Sequence, residues 1–138
     1  MSEKKIIKIY IDGGSRGNPG PGAAGVLIRI GRKKIKLKKY FKRCTNNYAE
    51  YSALLLALHW LSRIKDNNYQ IKIYSDSLLL VKQIIGKYKV KSKNLKPLHK
   101  KAQALIKNLP AFKFEHIPRE KNKIADGLVN EILDKMKD

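Results

Sequence analysis

Lys8-Ile9-Tyr10-Ile11-Asp12 is echoed in mid-chain by Lys72-Ile73-Tyr74-Ser75-Asp76, so two segments of matching pattern each end on an aspartate. In both, apolar and polar residues alternate with period two, the pattern of a strand, and the tyrosine and aspartate of each point to the same side. If the two strands are parallel neighbours, their carboxylates converge at one sheet edge, where the loops after the strands hold the chemistry of an α/β sheet. Two converging carboxylates are suited to a divalent metal ion. Acidic residues are scarce here, 11 against 31 Lys plus Arg, which sharpens the signal of an acidic pair in register.

The remaining composition narrows the partners. A chain of 138 residues, 43% hydrophobic, suffices for one compact domain over residues 1–138 and is short for two. A formal charge of +20 implies a polyanionic partner. Nucleic acid is the first candidate, since neutralising phosphates releases counterions. An anionic membrane surface is the competitor, but no segment reads as a clean basic amphipathic helix, and the longest apolar run, Leu54 to Leu58, is far too short to cross a bilayer. Cys44 is the single cysteine, which excludes an intrachain disulfide and a thiolate zinc cluster and suits a reducing interior. Lys8 and Asp12 interrupt the first apolar stretch too early for a signal peptide. A soluble cytoplasmic protein is expected.

The elements that must position the aspartates follow from pattern and punctuation. Residues 5–12 read as a strand, and Gly13 to Gly22 as a turn-rich loop that cannot be helical. Strands over 23–30 and 34–42 flank a turn at Gly31-Arg32 and continue an antiparallel meander. Tyr51, Leu54, Leu55, Leu58 and Leu61 recur at helical spacing within 47–64. The polar turn Asp66-Asn67-Asn68 precedes a strand over 71–76, a short helix from Ser77 to about Ile85 stopping at Gly86, and a helix from about Leu95 to Leu109 with Pro97 in its first turn. Phe112 to Ile117 is the last strand and Lys123 to Met136 the last helix.

Four segments, in this order and on these elements, resemble type 1 ribonuclease H. They are Tyr10 to Gly22 with its Asp-Gly-Gly-Ser run, Thr45-Asn-Asn-Tyr-Ala-Glu50-Tyr51, Tyr74-Ser-Asp76-Ser77, and Asn122-Lys-Ile-Ala-Asp126-Gly-Leu128. The resemblance covers nearly the whole chain and implies an α/β, ribonuclease H-like fold with a five-stranded mixed sheet flanked by helices. It also implies that Asp12, Glu50, Asp76 and Asp126 are the catalytic, metal-holding carboxylates. The expected cofactor is Mg²⁺, two ions per site, with Mn²⁺ as a substitute. Asp12 would bridge the ions, Glu50 and Asp76 would hold the one on the leaving-group side, and Asp126 would help hold the one on the side of attack.

Phosphodiester hydrolysis asks for such residues on its own account. It needs a nucleophile made from water and relief of charge on the attacking and leaving oxygens, which two divalent ions about 3.5–4 Å apart supply. Magnesium prefers carboxylate oxygens and needs no imidazole or thiolate. Each acid also has a local reading: Asn47-x-x-Glu50 as a capping box, Asp76 as the cap of the helix that follows, Asp126 as a first-turn carboxylate favoured by the helix dipole, and Asp12 as a turn former. Four independent local devices have no reason to reproduce one family's order.

For substrate, the resemblance places Asn18, Asn46 and Asn47 against a minor groove and the backbone around Gly13 at the RNA 2′-hydroxyls, the groups that tell RNA from DNA. Arg43 and Thr45 resemble part of a pocket for a DNA-strand phosphate, completed by Ser92 or Asn94, and Ser77 is a further candidate substrate contact. The asparagines are equally good turn and cap formers. The Gly-rich loop lacks the Gly-Lys-Ser/Thr of a P-loop.

Two departures from the better-known bacterial pattern stand out. Only Gly86 to Asn94, with Lys87, Lys89, Lys91, Lys93 and Tyr88, fills the place of a basic protrusion. The mobile histidine before the last helix has no clear match: His116 reads as a strand residue, so the mobile role is absent or taken by Arg119, Glu120 or Lys121. His59 and His99 read as ordinary helix histidines. The expected activity is endonucleolytic cutting of the RNA strand of RNA–DNA hybrids, leaving 5′-phosphate and 3′-hydroxyl ends, by a monomer that can also accept double-stranded RNA. The alternatives are a junction resolvase on the same sheet, disfavoured by Thr45-Asn-Asn, and a non-catalytic hybrid-binding module.

Overall fold

The computed structural model describes residues 5–66 and 68–136; Asn67 of the expected polar turn lies outside them. Ile7, Ile9 and Ile11 alternate with Lys8, Tyr10 and Asp12, so β1 (Lys5–Ser15) presents one wholly buried face and one polar face. It pairs antiparallel with β2 (Gly20–Ile30), which pairs antiparallel with β3 (Lys33–Cys44). Helix α1 (Asn46–Leu61) then returns the chain to β4 (Tyr69–Ser75), which lies parallel to β1 with Tyr10 opposite Tyr74. Helices α2 (Leu78–Ile84) and α3 (Lys96–Ile106) lead to β5 (Phe112–His116), parallel to β4. A 3₁₀ turn at Arg119–Lys121 precedes α4 (Lys123–Lys135). The sheet order is β3-β2-β1-β4-β5, the mixed five-stranded arrangement expected.

Helix α1 is apolar nearly all round, as a helix enclosed on every side must be. Ala53, Leu54, Ala57 and Leu58 are fully buried with Ile7, Ile9, Ile11, Val26, Ile28 and Ile73 in the main core, which α3 closes through Leu98 and Ala102. Beneath the helices, the Tyr51 hydroxyl donates to Gln83 Oε1 at 2.6 Å and Gln103 Nε2 to the Ile84 carbonyl at 2.9 Å. Gln83 Nε2 donates to the Lys89 carbonyl at 3.3 Å, which ties down the Lys-rich segment after α2. Helix α4 packs on the other sheet face, where Val129 and Leu133 bury Ala23.

The Gly-rich segment departs from expectation. It is ladder rather than loop at both ends: Gly13 pairs with Ala24, Gly14 with Ala23 and Ser15 with Gly22, leaving only Arg16 to Pro19 as the connection. Strand pairing uses backbone groups alone, so a glycine run can extend a ladder where neighbouring backbone comes close. A Cβ on Gly13 would lie 2.3 Å from the Ala49 carbonyl carbon of α1, and one on Gly25 would lie 2.8 Å from the Ala125 carbonyl oxygen of α4. These two glycines therefore let a helix seat on each face of the sheet. Gly13→Ala should cost about 3 kcal/mol or more, since backbone cannot give way as a side chain can; urea unfolding would read this, and an unchanged midpoint would refute it. Helix α1 ends at Leu61, short of the expected 64, with Ser62 as its C-cap.

Candidate active site

Asp12 lies within β1, and Asp76 stands one residue beyond β4, a single step past the parallel pair Ile11–Ser75. Register thus delivers both side chains to one place. Glu50 arrives from the second turn of α1, one carboxylate oxygen of each of the three lying within 4.8 Å of the others. The Gly13 N–H donates to Glu50 Oε1 at 2.7 Å, which fixes that carboxylate against β1. Asp126, in the first turn of α4, stands beside Asp12 and faces Arg119 at 3.7 Å and Asn130 at 3.5 Å.

Two of the local readings fail on geometry. The cap of α1 is Thr45, whose Oγ1 accepts from the Tyr48 N–H at 3.1 Å, so Glu50 does not reach back to the helix start. The cap of α2 is Ser77, whose Oγ accepts from the Leu80 N–H at 3.2 Å, which leaves Asp76 free of that task. Asp126 does sit where the helix dipole favours it.

The electrostatics are those of an underneutralised acidic cluster. Burial pushes Asp12 up to about 8, and Asp76 and Asp126 add to the rise against the Gly13 N–H. Glu50 is held well above its usual range by burial, then by Asp12 and Asp76. Burial also raises Asp76, although Asn122 and Arg119 pull the other way. Arg119 is the cation that bears on Glu50 and Asp76, and its side chain is 79% exposed, so solvent screens much of its effect. Hard oxygen donors crowded together with excess negative charge fit divalent cations.

Around the cluster is a cleft of about 330 Å³ lined by Gly13, Ser15, Arg16, Asn46, Arg119 and Asn130 with Asp12, Glu50 and Asp76. Asn18 Oδ1 accepts from the Asn46 N–H at 2.9 Å and Asn46 Oδ1 from the Ser15 N–H at 3.3 Å, so both asparagines brace the β1–β2 connection against the start of α1. Asn47 is exposed beside them in the first turn. Arg43, Thr45 and Asn94 line a second depression of about 470 Å³ with Phe41 and Tyr48, and Asn94 rather than Ser92 completes it. The Ser77 hydroxyl is committed to its cap. His116 is an exposed residue of β5 opposite Ser75, His59 is exposed on α1, and His99 bonds the Gln83 carbonyl at 3.1 Å. Of the three residues named for the mobile role, Arg119 borders the cleft, while Glu120 and Lys121 line a different concavity.

Asn122 is the residue that sequence reasoning passed over. It is 1% exposed, and its Nδ2 donates to the Ile11 carbonyl at 2.8 Å, clamping the residue before Asp12 to the start of α4. It holds the N-cap position without capping. An Asn before a helix reads as a cap, so only the fold exposes its other task.

Comparison with known proteins agrees with this geometry. A family model described as reverse transcriptase-like matches residues 10–132. LC11-RNase H1, isolated from compost and solved in complex with an RNA/DNA hybrid, superimposes with a TM-score of 0.85 at 42% identity, over 94% of this chain and 97% of that one. RNase H1 of the archaeon Halobacterium salinarum gives 0.86 at 34% identity, over 94% and 98%. The fold is that of ribonuclease H. A bifunctional protein of Mycobacterium tuberculosis is 37% identical over 131 residues, 93% of this chain but 35% of its own length, so the chain spans about a third of that relative. The chain belongs to the type 1 ribonuclease H family.

Proposed function

We propose that this chain is a metal-dependent endoribonuclease that hydrolyses the RNA strand of RNA–DNA hybrids, leaving 5′-phosphate and 3′-hydroxyl ends. The observation that carries the reading is the meeting of Asp12, Glu50 and Asp76, buried or half-buried, within 4.8 Å of one another. The hybrid bound by LC11-RNase H1 supports the choice of substrate.

Asp12, Glu50, Asp76 and Asp126 are the residues that would hold two Mg²⁺ ions, with Mn²⁺ as a substitute. When bound, such ions supply charge relief for the attacking and leaving oxygens and a readily deprotonated water. The chain's own contribution is to hold the acids in place: the Gly13 N–H fixes Glu50, Asn122 fixes the strand beneath Asp12, and Ser77 leaves Asp76 free. The backbone near Gly13 and the Asn46 side chain border the cleft where the 2′-hydroxyls of the cut strand would lie. Arg43, Thr45 and Asn94 would take a phosphate of the DNA strand, a charge-assisted contact. The proposed acting form is a monomer.

The test is cleavage of end-labelled RNA presented as hybrid, as RNA duplex and as single strand. Metal-dependent cutting of the hybrid to 5′-phosphate products is expected. Duplex RNA carries the same 2′-hydroxyls in an A-form minor groove and is the second proposed substrate. Cutting of the single strand alone would contradict the reading.

A further inference from the structure

The polar face of the sheet carries a second feature, away from the cleft. Strand register sets Lys34 of β3 opposite Arg29 of β2, Arg29 opposite Lys8 of β1, Lys8 opposite Lys72 of β4, and Lys72 opposite Lys113 of β5. Every strand thus contributes one cation to a single cross-strand row. At about 4.8 Å per strand the row spans roughly 19 Å. Lys8, Lys34 and Lys113 are exposed, and Arg29 and Lys72 half-buried.

Like charges directly opposite one another destabilise a sheet, so a row five strands wide is costly unless something answers it. Nothing in the described residues does. The ion pairs formed there join Arg16 to Asp134, Lys38 and Lys135 to Glu131, and Arg119 to Asp126, none of them in the row. Two acids lie close by, Glu115 two residues along β5 from Lys113 and Glu120 in the concavity beside Arg29, and neither forms an ion pair with the row. Helix α4 covers the sheet at Ala23 and Gly25, and of the row only Arg29 shares a concavity with its first residues, Lys123 and Ile124. At its β1–β3 end the surface hollows into a depression of about 850 Å³ lined by Lys5, Lys8, Arg29, Arg32 and Lys34.

We propose that this row is a nucleic-acid-binding surface that takes the phosphate backbone of a double helix, separate from the carboxylate cleft. A line of cations matches a linear polyanion. Duplex DNA carries one charge per about 1.7 Å of axis, ample to engage every member. An anionic membrane fits less well, because the exposed apolar residues beside the row are two isolated side chains on separate elements, Ile6 of β1 and Ile124 of α4. Lys8 and Asp12 share one face of β1, about 13 Å apart along the strand. Its role would be to hold the chain on nucleic acid without choosing the bond to be cut. The inference goes beyond the proposed cleavage reaction, since none of the five residues borders the cleft.

The test compares wild type, Lys8→Gln/Lys72→Gln/Lys113→Gln, and a charge-matched control on exposed α3 and its C-cap, Lys100→Gln/Lys101→Gln/Lys107→Gln. The probe is a short double-stranded DNA, titrated across salt concentrations. The row variant is expected to bind about tenfold or more weaker, with a salt slope shallower by about 0.9 for each lost contact, while its melting temperature holds or rises and the control changes far less. Equal losses in both variants would reduce the effect to net charge and overturn the proposal. So would unchanged DNA binding accompanied by lost binding to phosphatidylserine vesicles. Duplex DNA is not the proposed substrate, so failure to cut hybrids would sink the cleavage reading and leave this result standing.

Discussion

Asp12→Asn is expected to abolish hybrid cleavage, by roughly a thousandfold or more, while leaving the protein folded and no less stable. The expected loss follows from position: Asp12 is buried on β1 in company with Glu50, Asp76 and Asp126. Removing one charge-stabilising group costs about 10²–10³ in rate, and an acid that would help hold both ions should exceed that. The expected stability follows from burial. The side chain is nearly isosteric, and the variant removes a desolvated charge. Single-turnover cleavage beside a thermal melt measures both. Loss of fold in the variant would mean that Asp12 is structural; retained activity would remove it from the site.

The second large effect is a dependence of stability on pH and metal that runs against the usual carboxylate trend. Asp12 is raised to about 8 from 3.8, so the folded chain binds its proton more tightly than the unfolded chain does. Its stabilising contribution is therefore complete below about pH 4 and is lost as pH rises toward 8, with a limiting slope of about 1.4 kcal/mol per unit for each such group. Glu50 and Asp76 shift in the same direction. The rest of this basic chain also titrates, so the useful quantity is the gap between wild type and Asp12→Asn. In chelator the variant should gain on wild type between pH 4 and pH 8, reaching a few kcal/mol, or roughly 10 °C in melting temperature. Saturating Mg²⁺ at pH 8 should close or reverse the gap, because an ion that binds only the folded state stabilises it by mass action. A gap independent of pH and metal would contradict the burial of these charges.

The sheet and its acids were legible because they rest on periodicity and register. Isoleucines 7, 9 and 11 mark a buried strand face by alternation alone, and the Asp12/Asp76 echo anticipates a parallel pair whose ends meet. Features that depend on a distant partner were less legible. The ladder through Gly13 to Ser15 needs the approach of α1 at Ala49 to explain why glycine is there. Glu50 shares its spacing with a capping box, and only the distance from Gly13 separates the two readings. Asn122 and Arg119 act across the gap between α4 and the sheet, a gap that local sequence does not encode. The cationic row shows the same limit: Lys8 and Lys72 fall in the repeated motif, but Arg29, Lys34 and Lys113 join them only through the pairing of all five strands.

The central claim is that a carboxylate cluster on this sheet makes the chain a metal-dependent hybrid-cutting enzyme. Its most direct test is the single-turnover rate of RNA-strand cleavage in an RNA–DNA hybrid as a function of Mg²⁺ concentration. No cleavage is expected in chelator, with a rate that then rises with the ion to a plateau. Hybrid that is bound yet uncut at every concentration of Mg²⁺ and Mn²⁺ would instead make the chain a binding module, and the four carboxylates would need another explanation.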